Sequence, residues 1–283
     1  MTVETVGVVG LGTMGAGIAQ VCLEAGHRVV AVEANAAALE RGSGRIEAGL
    51  AKRVEKGVLD AAAADAARTR LSAGGELGPL ADADLVIEAI VEEPEPKAAL
   101  FAELHALCRP EAVLATNTSA LSVTALAAAS GRPERVVGLH FFNPAPLMPL
   151  VEVVRTAIVA DDAFAAALAF AQGLGKEAVP CPDTPGFLVN RLLIPMLNDA
   201  VRMLDETAAA PEDVDRALKA GAGWPMGPLA LIDLIGLDVH AHAAEALWQA
   251  HREERMAPPA RLLRMVEAGH LGRNARRGFY EYR

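Results

Sequence analysis

Residues 3–33 read VETVGVVGLGTMGAGIAQVCLEAGHRVVAVE, and this stretch decides the fold. An apolar strand leads into a glycine-rich turn, a helix follows, and a second apolar strand ends at Glu33. Gly10 permits the tight turn, Gly12 lets the backbone approach a pyrophosphate, and Gly15 lets helix and strand pack closely. The helix N-terminus offers unpaired N–H groups and a partial positive charge to phosphates. The stretch therefore predicts a dinucleotide site, with cofactor contacts from Gly10, Gly12, Thr13, Met14 and Gly15.

Glu33 bears on which dinucleotide binds. It lies 18 residues after Gly15, at a strand end, where a carboxylate can accept both ribose hydroxyls. The same carboxylate would repel a 2′-phosphate, and the next residues, 34–36, supply no arginine to hold one. NAD is therefore the predicted cofactor, ahead of NADP and FAD. The alternative is a glycine-rich turn in an ordinary α/β protein.

Composition excludes several classes of partner. The 283 residues carry a net charge of −10, which argues against nucleic acid or an anionic membrane as a partner. Aromatic residues are only 4%, too few for single-strand stacking platforms. Neither a signal peptide nor an apolar run of membrane length is apparent. The three cysteines fit buried thiols in a reducing cytoplasm better than disulfides or a metal site, so no metal is predicted.

The chain alternates between short apolar runs and helical stretches up to about residue 182. The predicted strands are 4–9, 28–33, 84–90, 112–116, 135–140, 150–155 and 176–180. Runs that are apolar on both faces indicate a Rossmann-like, doubly wound, mainly parallel sheet, with the direction of the last two or three strands left open. From 183 the apolar spacing becomes helical. We expect an NAD-binding domain at 1–182, an all-α domain at 183–283 and a site in the cleft between them.

Two residues near neighbouring strand ends could carry proton chemistry. His140 ends an apolar strand where the carboxyl edge of a doubly wound sheet faces the cofactor. Glu152 lies inside the apolar run 150–154, where a buried carboxylate needs a partner. A His140–Glu152 pair would satisfy the carboxylate and orient the imidazole as a general base. The alternatives are a hydrogen-bonded core histidine and a glutamate on the solvent face of its strand.

Three further groups have both a functional and a structural interpretation. Small polar residues at 116–119 follow a strand and could bind substrate, although taken alone they favour a turn or a helix N-cap. Asn190 interrupts an apolar helical run and needs a polar partner, whether substrate or backbone. Lys52 and Lys56 share a helix face that could hold ligand phosphate or could simply be solvated.

At this point the chain resembles the short-chain L-3-hydroxyacyl-CoA dehydrogenase family, in its bacterial 3-hydroxybutyryl-CoA dehydrogenase branch. The resemblance runs almost end to end, and its strings keep the family's order and spacing. The strings are GLGTMGAGIAQ (10–20), IEAIVEE (87–93), TNTS (116–119), GLHFFNPAP (138–146), LVEVV (150–154), DTPGFLVNRLL (183–193), GAGWPMGPLALIDLIGLD (221–238) and GRNARRGFYEY (272–282).

The resemblance implies reversible oxidation of the 3-hydroxyl of an acyl-CoA by NAD, in a homodimer joined through the helical domain. It makes His140 the general base, Glu152 its partner, and Ser119 and Asn190 the contacts to the reacting oxygens. The family also implies a nicotinamide-side group and a CoA-phosphate group. The nicotinamide-side group consists of Glu92, Lys97, Asn117 and Asn143. The CoA-phosphate group consists of Lys52 and Lys56.

The chain departs from the family pattern at three positions. Asn274 stands where relatives commonly have a lysine near the cofactor, and Pro149 replaces a common lysine before LVEVV. Gly49 stands where some relatives have a serine near CoA. These departures leave the proposed catalytic set intact, but affinity and acyl-chain preference stay open, and 3-hydroxyadipyl-CoA is an alternative substrate to 3-hydroxybutyryl-CoA.

Three other functions compete with this one. A β-hydroxyacid dehydrogenase would need a lysine base on the helix that opens the second domain, but no lysine occurs between Lys176 and Lys219. A gulonate-type sugar-acid dehydrogenase of the lens-crystallin-related branch shares the His–Glu pair, and a CoA-free assay separates it. A non-catalytic NAD-binding protein is disfavoured because His140, Glu152, Ser119 and Asn190 are all present.

Overall fold

The computed structural model describes residues 2–283, and its largest feature is one eight-stranded sheet. Seven strands coincide with the predicted apolar runs, and the strand Leu71–Gly74 is an addition because its sequence, LSAG, is too short and polar to give a pattern. The strands are β1 (Thr5–Val9), β2 (Arg28–Val32), β3 (Leu71–Gly74), β4 (Leu85–Glu88), β5 (Val113–Thr116), β6 (Val136–Phe141), β7 (Leu150–Arg155) and β8 (Glu177–Pro182).

The strand order is β3-β2-β1-β4-β5-β6-β7-β8. The first six strands are parallel to one another, β7 is antiparallel to β6, and β8 is parallel to β7. The order reverses between β1 and β4, which is the topological switch point of a doubly wound sheet. The carboxyl ends of β1, β2, β4, β5 and β6 therefore lie at one edge of the sheet, together with the start of β7.

Six helices accompany the sheet in the first part of the chain. They are α1 (Thr13–Glu24), α2 (Ala36–Glu55), α3 (Ala61–Thr69), α4 (Pro94–Leu107), α5 (Val123–Ala129) and α6 (Asp161–Gly173). Alternate strand residues such as Val113 and Ala115 join one core cluster with α1, α2 and α6. The intervening residue Leu114 is also fully buried but lies outside that cluster. Both faces of the sheet are therefore covered, which is why its strands are apolar throughout.

The chain divides into two compact units, the first extending to Thr184 and the second comprising Pro185–Arg283. The second unit is helical, and its main core cluster takes buried apolar residues from all five of its helices. Asp233 ties the chain end to this unit, because its carboxylate accepts hydrogen bonds from the N–H groups of Phe279 and Tyr280. The helices are α7 (Val189–Thr207), α8 (Pro211–Ala222), α9 (Pro228–Ile235), α10 (Leu237–His251) and α11 (Ala260–Glu267).

Candidate active site

The glycine turn between β1 and α1 is sterically fixed at two of its three glycines. Gly10 has a φ of 91°, and a Cβ there would lie 2.6 Å from the carbonyl oxygen of Ala89. A Cβ on Gly15 would lie 1.8 Å from the carbonyl oxygen of Gly10. A Cβ built on Gly12 would meet no atom within 4 Å among residues 2–283, its chain neighbours aside. Gly12 therefore leaves open space in front of the α1 N-terminus, which fits a pyrophosphate.

Thr13 and Met14 form the first turn of α1 directly behind this space. Thr13 is exposed and Met14 is half-buried. Their N-cap residue, Gly12, has no side chain with which to cap the helix. The N–H groups of this turn are therefore available to an anion.

Glu33 follows β2 and is held by backbone donors. Its Oε2 accepts a hydrogen bond from the N–H of Leu11 at 3.1 Å, and its Oε1 accepts one from the N–H of Asn35 at 3.1 Å. Each carboxylate oxygen has a second lone pair, so both ribose hydroxyls of an adenosine can be accepted. A 2′-phosphate at that ribose would face a like charge. The turn and Glu33 together fit NAD.

His140 and Glu152 lie opposite each other in the antiparallel pair formed by β6 and β7. The distance between His140 Nδ1 and Glu152 Oε2 is 2.7 Å. Both residues are buried, with 5% of His140 and 1% of Glu152 exposed. An ionised carboxylate only accepts hydrogen bonds, so toward an ionised Glu152 the imidazole would donate from Nδ1. A contact of this kind fixes the orientation of the ring.

Ser119 belongs to a tight turn that follows β5 and is attached to Glu92. The Oε1 of Glu92 accepts hydrogen bonds from Thr118 Oγ1 at 2.5 Å and from the N–H of Ser119 at 2.8 Å. Thr118 Oγ1 in turn accepts hydrogen bonds from the N–H groups of Ala120 and Leu121. The turn that sequence alone offered as the structural alternative is thus present, and a charged side chain anchors it.

The pKa of Glu92 lies below its ordinary value. Burial by itself raises this pKa, but the charge of Lys97 and the hydrogen bonds from Thr118 and Ser119 outweigh burial. Glu92 is therefore ionised throughout the neutral range and remains an acceptor for the turn.

Asn117 and Asn143 lie in loops at the same edge. The N–H of Phe141, next to His140, donates to Asn117 Oδ1 at 3.0 Å, which ties the loop after β5 to the end of β6. Asn143 is exposed in the segment that follows β6. The structure therefore gathers His140, Glu152, Ser119, Glu92 and Asn117 within one unit and around one sheet edge.

The remaining predicted residues lie on helices. Lys52 is in the last turn of α2 and Lys56 is its C-cap, and both are exposed. Gly49, one turn earlier, packs against α1, and a Cβ there would lie 2.0 Å from Gln20 Oε1. The buried Gln20 amide thus occupies the space that any side chain at position 49 would need. Asn190 is the second residue of α7 and belongs to the helical unit.

Two residues in the site were missed from the sequence. Glu88 ends the apolar strand β4 and is fully buried, so the argument made for Glu152 applies to it equally. Lys176 donates from Nζ to the carbonyl oxygens of Ala145 and Met148, each at 2.8 Å, and so holds the loop after β6. No sequence signal identifies Lys176, because its partners are backbone groups.

Within residues 2–283, no group of three or more His, Cys, Asp or Glu side chains is arranged to hold a metal ion. Over that range, too, no helix has both the length and the apolar character needed to cross a membrane. Cys22, Cys108 and Cys181 are free and buried, and burial raises the pKa of the Cys22 thiol to about 12.

Comparison with known proteins now identifies the family. The model for the 3-hydroxyacyl-CoA dehydrogenase NAD-binding domain matches residues 5–184, and the model for the C-terminal domain of the same family matches residues 186–282. This chain belongs to the 3-hydroxyacyl-CoA dehydrogenase family. It is accordingly an NAD-dependent 3-hydroxyacyl-CoA dehydrogenase, and the predicted family, fold class and cofactor are confirmed.

Individual relatives are similar over the whole chain. A 3-hydroxybutyryl-CoA dehydrogenase of Mycobacterium tuberculosis is 46% identical over 99% of both chains. The crystal structure of (S)-3-hydroxybutyryl-CoA dehydrogenase from Ralstonia eutropha is 39% identical, with a TM-score of 0.95 and full coverage of both chains. A 3-hydroxyadipyl-CoA dehydrogenase of Escherichia coli is 45% identical over 100% of this chain and 60% of its own length.

Proposed function

We propose that this 3-hydroxyacyl-CoA dehydrogenase reversibly oxidises L-3-hydroxybutyryl-CoA to acetoacetyl-CoA, with His140 as general base. The 2.7 Å contact between His140 Nδ1 and Glu152 Oε2 carries this proposal. It lies at the carboxyl edge of the sheet, where doubly wound folds bind their dinucleotides. The names of the similar Mycobacterium tuberculosis and Ralstonia eutropha proteins support the four-carbon substrate.

The proposed chemistry separates a proton from a hydride. His140 Nε2 accepts the proton of the C3 hydroxyl while the C3 hydrogen leaves with its electron pair. The bound nicotinamide supplies the acceptor for that hydride. Glu152 stabilises the imidazolium that forms, because its charge lies against Nδ1–H. General-base assistance of this kind contributes about 10²–10⁴ in rate.

The other predicted residues have positioning roles in this proposal. Ser119 and Asn190 hold the C3 oxygen and the thioester carbonyl. Glu92, Lys97, Asn117 and Asn143 surround the nicotinamide side, while Lys52 and Lys56 bind the CoA phosphates. The residues that follow the strands of the first unit are supported in these roles by their shared position at one edge of the sheet. Lys52 and Lys56 are supported by their exposure on α2.

The proposal is tested by initial rates of NADH oxidation with 3-ketoacyl-CoA substrates of increasing chain length, with NADPH as the control. We expect acetoacetyl-CoA to be the best substrate and NADPH to support little turnover because of Glu33. NAD reduction with gulonate in the absence of CoA, together with inactivity on acetoacetyl-CoA, would contradict the proposal. Tight NADH binding without turnover of any of these substrates would indicate a non-catalytic protein.

A second substrate is favoured by one specific observation. The Escherichia coli 3-hydroxyadipyl-CoA dehydrogenase matches the entire chain at 45% identity. A dicarboxylic acyl group would add a charge at the far end of the substrate. Comparing kcat/KM for 3-hydroxyadipyl-CoA and 3-hydroxybutyryl-CoA decides between the two, since their CoA and reacting groups are the same.

The homodimer belongs to the proposal as well. Helix α7 has apolar side chains exposed on one face, with Leu192 and Met196 one turn apart and Met203 two turns further on. Met196 and Met203 also border an apolar cavity of about 190 Å³ next to Trp224. A row of this kind on a charged protein is typical of a subunit interface.

A further inference from the structure

A buried group of charged side chains links β4 to α4 at the sheet edge where the carboxyl ends of the parallel strands lie. Glu88 is 0% exposed and Lys97 is 1% exposed. Lys97 Nζ lies 2.5 Å from Glu88 Oε1 and 3.2 Å from Glu92 Oε2. Burying such a pair is unfavourable in itself and adds little stability compared with apolar packing. The stability of the core therefore does not explain why Glu88 and Lys97 are buried together.

The carboxylate of Glu88 is fully engaged by neighbouring loops. Its Oε1 also accepts the N–H of Ile90 at 2.7 Å, and its Oε2 accepts Thr116 Oγ1 at 2.7 Å. Its backbone carbonyl accepts the N–H of Asn117 at 2.9 Å. Glu88 thus fixes the beginning of the segment that carries Ser119.

The end of the same segment is fixed through Lys97. The ammonium of Lys97 holds Glu92, and Glu92 accepts hydrogen bonds from Thr118 Oγ1 and from the N–H of Ser119. Thr116 Oγ1 additionally accepts the N–H of Thr118 at 3.2 Å. Two routes from one buried carboxylate therefore converge on the turn at 116–120, one through Thr116 and one through Lys97.

We infer that Glu88 is a positioning residue for hydride transfer, which acts by holding the 116–120 turn and with it Ser119 and Asn117. Glu88 is fully buried, so it acts through the groups that it contacts, chiefly Thr116 and Lys97, and through Lys97 on Glu92. The inference rests on the proposed function, in which Ser119 holds a reacting oxygen. A small displacement of such a contact is expected to slow the chemistry strongly.

The first test is Glu88→Gln, which keeps the shape of the side chain and removes its charge. We expect kcat with acetoacetyl-CoA to fall about tenfold or more. The dissociation constant of ADP-ribose should stay within about twofold, because the glycine turn and Glu33, which would hold that half of the cofactor, are not part of the network. The matched control is Asp84→Asn, just before β4 at the opposite edge of the sheet, where Asp84 accepts the N–H groups of Glu4 and Thr5. Asp84→Asn should leave kcat unchanged.

The second test separates positioning from general structural damage. The effect of Glu88→Gln is measured again in a Ser119→Ala background. If Glu88 acts through Ser119, the second substitution removes most of the effect of the first. If the two losses multiply, Glu88 acts elsewhere and the inference is overturned. Thr116→Val serves as a milder variant should Glu88→Gln not fold, since it breaks only one of the two routes.

A third measurement does not depend on activity. Hydrogen exchange followed by mass spectrometry should show faster exchange in the peptide covering 116–120 for Glu88→Gln than for wild type or Asp84→Asn. Unchanged exchange together with unchanged kcat would refute the inference. If the wild type turns over no 3-ketoacyl-CoA, the proposed function fails, and the exchange result alone decides whether Glu88 holds the turn.

Discussion

At the scale of single residues, the proposed site depends on one cross-strand pair. His140 and Glu152 are 12 positions apart in the chain and become neighbours because β6 and β7 are antiparallel with these residues in register. Phe142 packs on the imidazole with ring centroids 4.6 Å apart, which further limits its rotation. The imidazole is thereby held on one side by a charge and on the other by a ring.

Replacing His140 tests the general base directly. We expect His140→Gln to lower kcat for 3-hydroxybutyryl-CoA at least about a hundredfold, because no group remains to take the hydroxyl proton. NADH binding, followed by fluorescence titration, should be unchanged. His27→Gln is the matched control, since His27 lies in the same unit next to Phe170, just before β2. Near-normal turnover in His140→Gln would refute the catalytic role.

Replacing Glu152 by Gln should have a smaller effect of the same kind. The amide can still accept from Nδ1–H, but it no longer opposes the charge of the imidazolium. We expect a loss of kcat between about tenfold and that of His140→Gln. The check is kcat for 3-hydroxybutyryl-CoA, measured beside wild type and His140→Gln under the same conditions. A normal kcat would mean that Glu152 is only a packing partner.

Part of this site could be predicted from the residues, and the reason is charge in apolar surroundings. Glu152 interrupts an apolar strand, so its carboxylate needs a polar partner. His140, at the end of the preceding strand, can supply one. Glu88 meets the same condition, but its partner Lys97 is on the following helix, and only the fold shows that they meet. Pairings between a strand and a helix depend on packing that a one-dimensional pattern does not contain.

At the scale of elements, the sequence does not predict two features of the sheet, namely the strand β3 and the direction of β7. β3 has four residues, LSAG, with too few apolar side chains to produce a pattern. The direction of β7 cannot be predicted, because an apolar run has the same pattern in a parallel and in an antiparallel strand. Its antiparallel course follows from the short connection after β6, which parallel strands would not permit. The antiparallel direction places the start of β7, and hence Glu152, at the edge where the carboxyl ends of the parallel strands lie.

Helix α10 provides a prediction about pH. His240 is fully buried there, and burial lowers its pKa to about 4. Its Nε2 lies 3.0 Å from Asn198 Oδ1 on α7. The unfolded chain binds a proton near pH 6.5, whereas the folded chain resists it. Stability is therefore unaffected above the unfolded pKa and falls as the pH drops from about 6.5 towards 4, by about 3 kcal/mol in all.

The check is the free energy of urea unfolding between pH 7.5 and pH 4 in wild type and His240→Gln. The glutamine keeps a donor for Asn198 but does not titrate, so its curve should be flatter over this window. His242, which is exposed on the same helix, gives the matched control His242→Gln, whose curve should parallel that of wild type. Parallel curves for wild type and His240→Gln would rule out His240 as the titrating group.

At the scale of the whole molecule, the prediction concerns assembly. Leu192 is 70% exposed, and with Met196 and Met203 it forms the apolar row on α7. In a two-fold symmetric dimer this row meets its own copy, so one substitution acts twice. Leu192→Asp replaces apolar burial by an unpaired charge on each side, and we expect the dissociation constant to rise at least about a hundredfold. Analytical ultracentrifugation over a range of protein concentrations measures the change. Val58→Asp, an exposed apolar residue of the first unit, is the matched control and should sediment like wild type. If wild type sediments as a monomer, or if Leu192→Asp and wild type dissociate alike, the α7 row is not the interface.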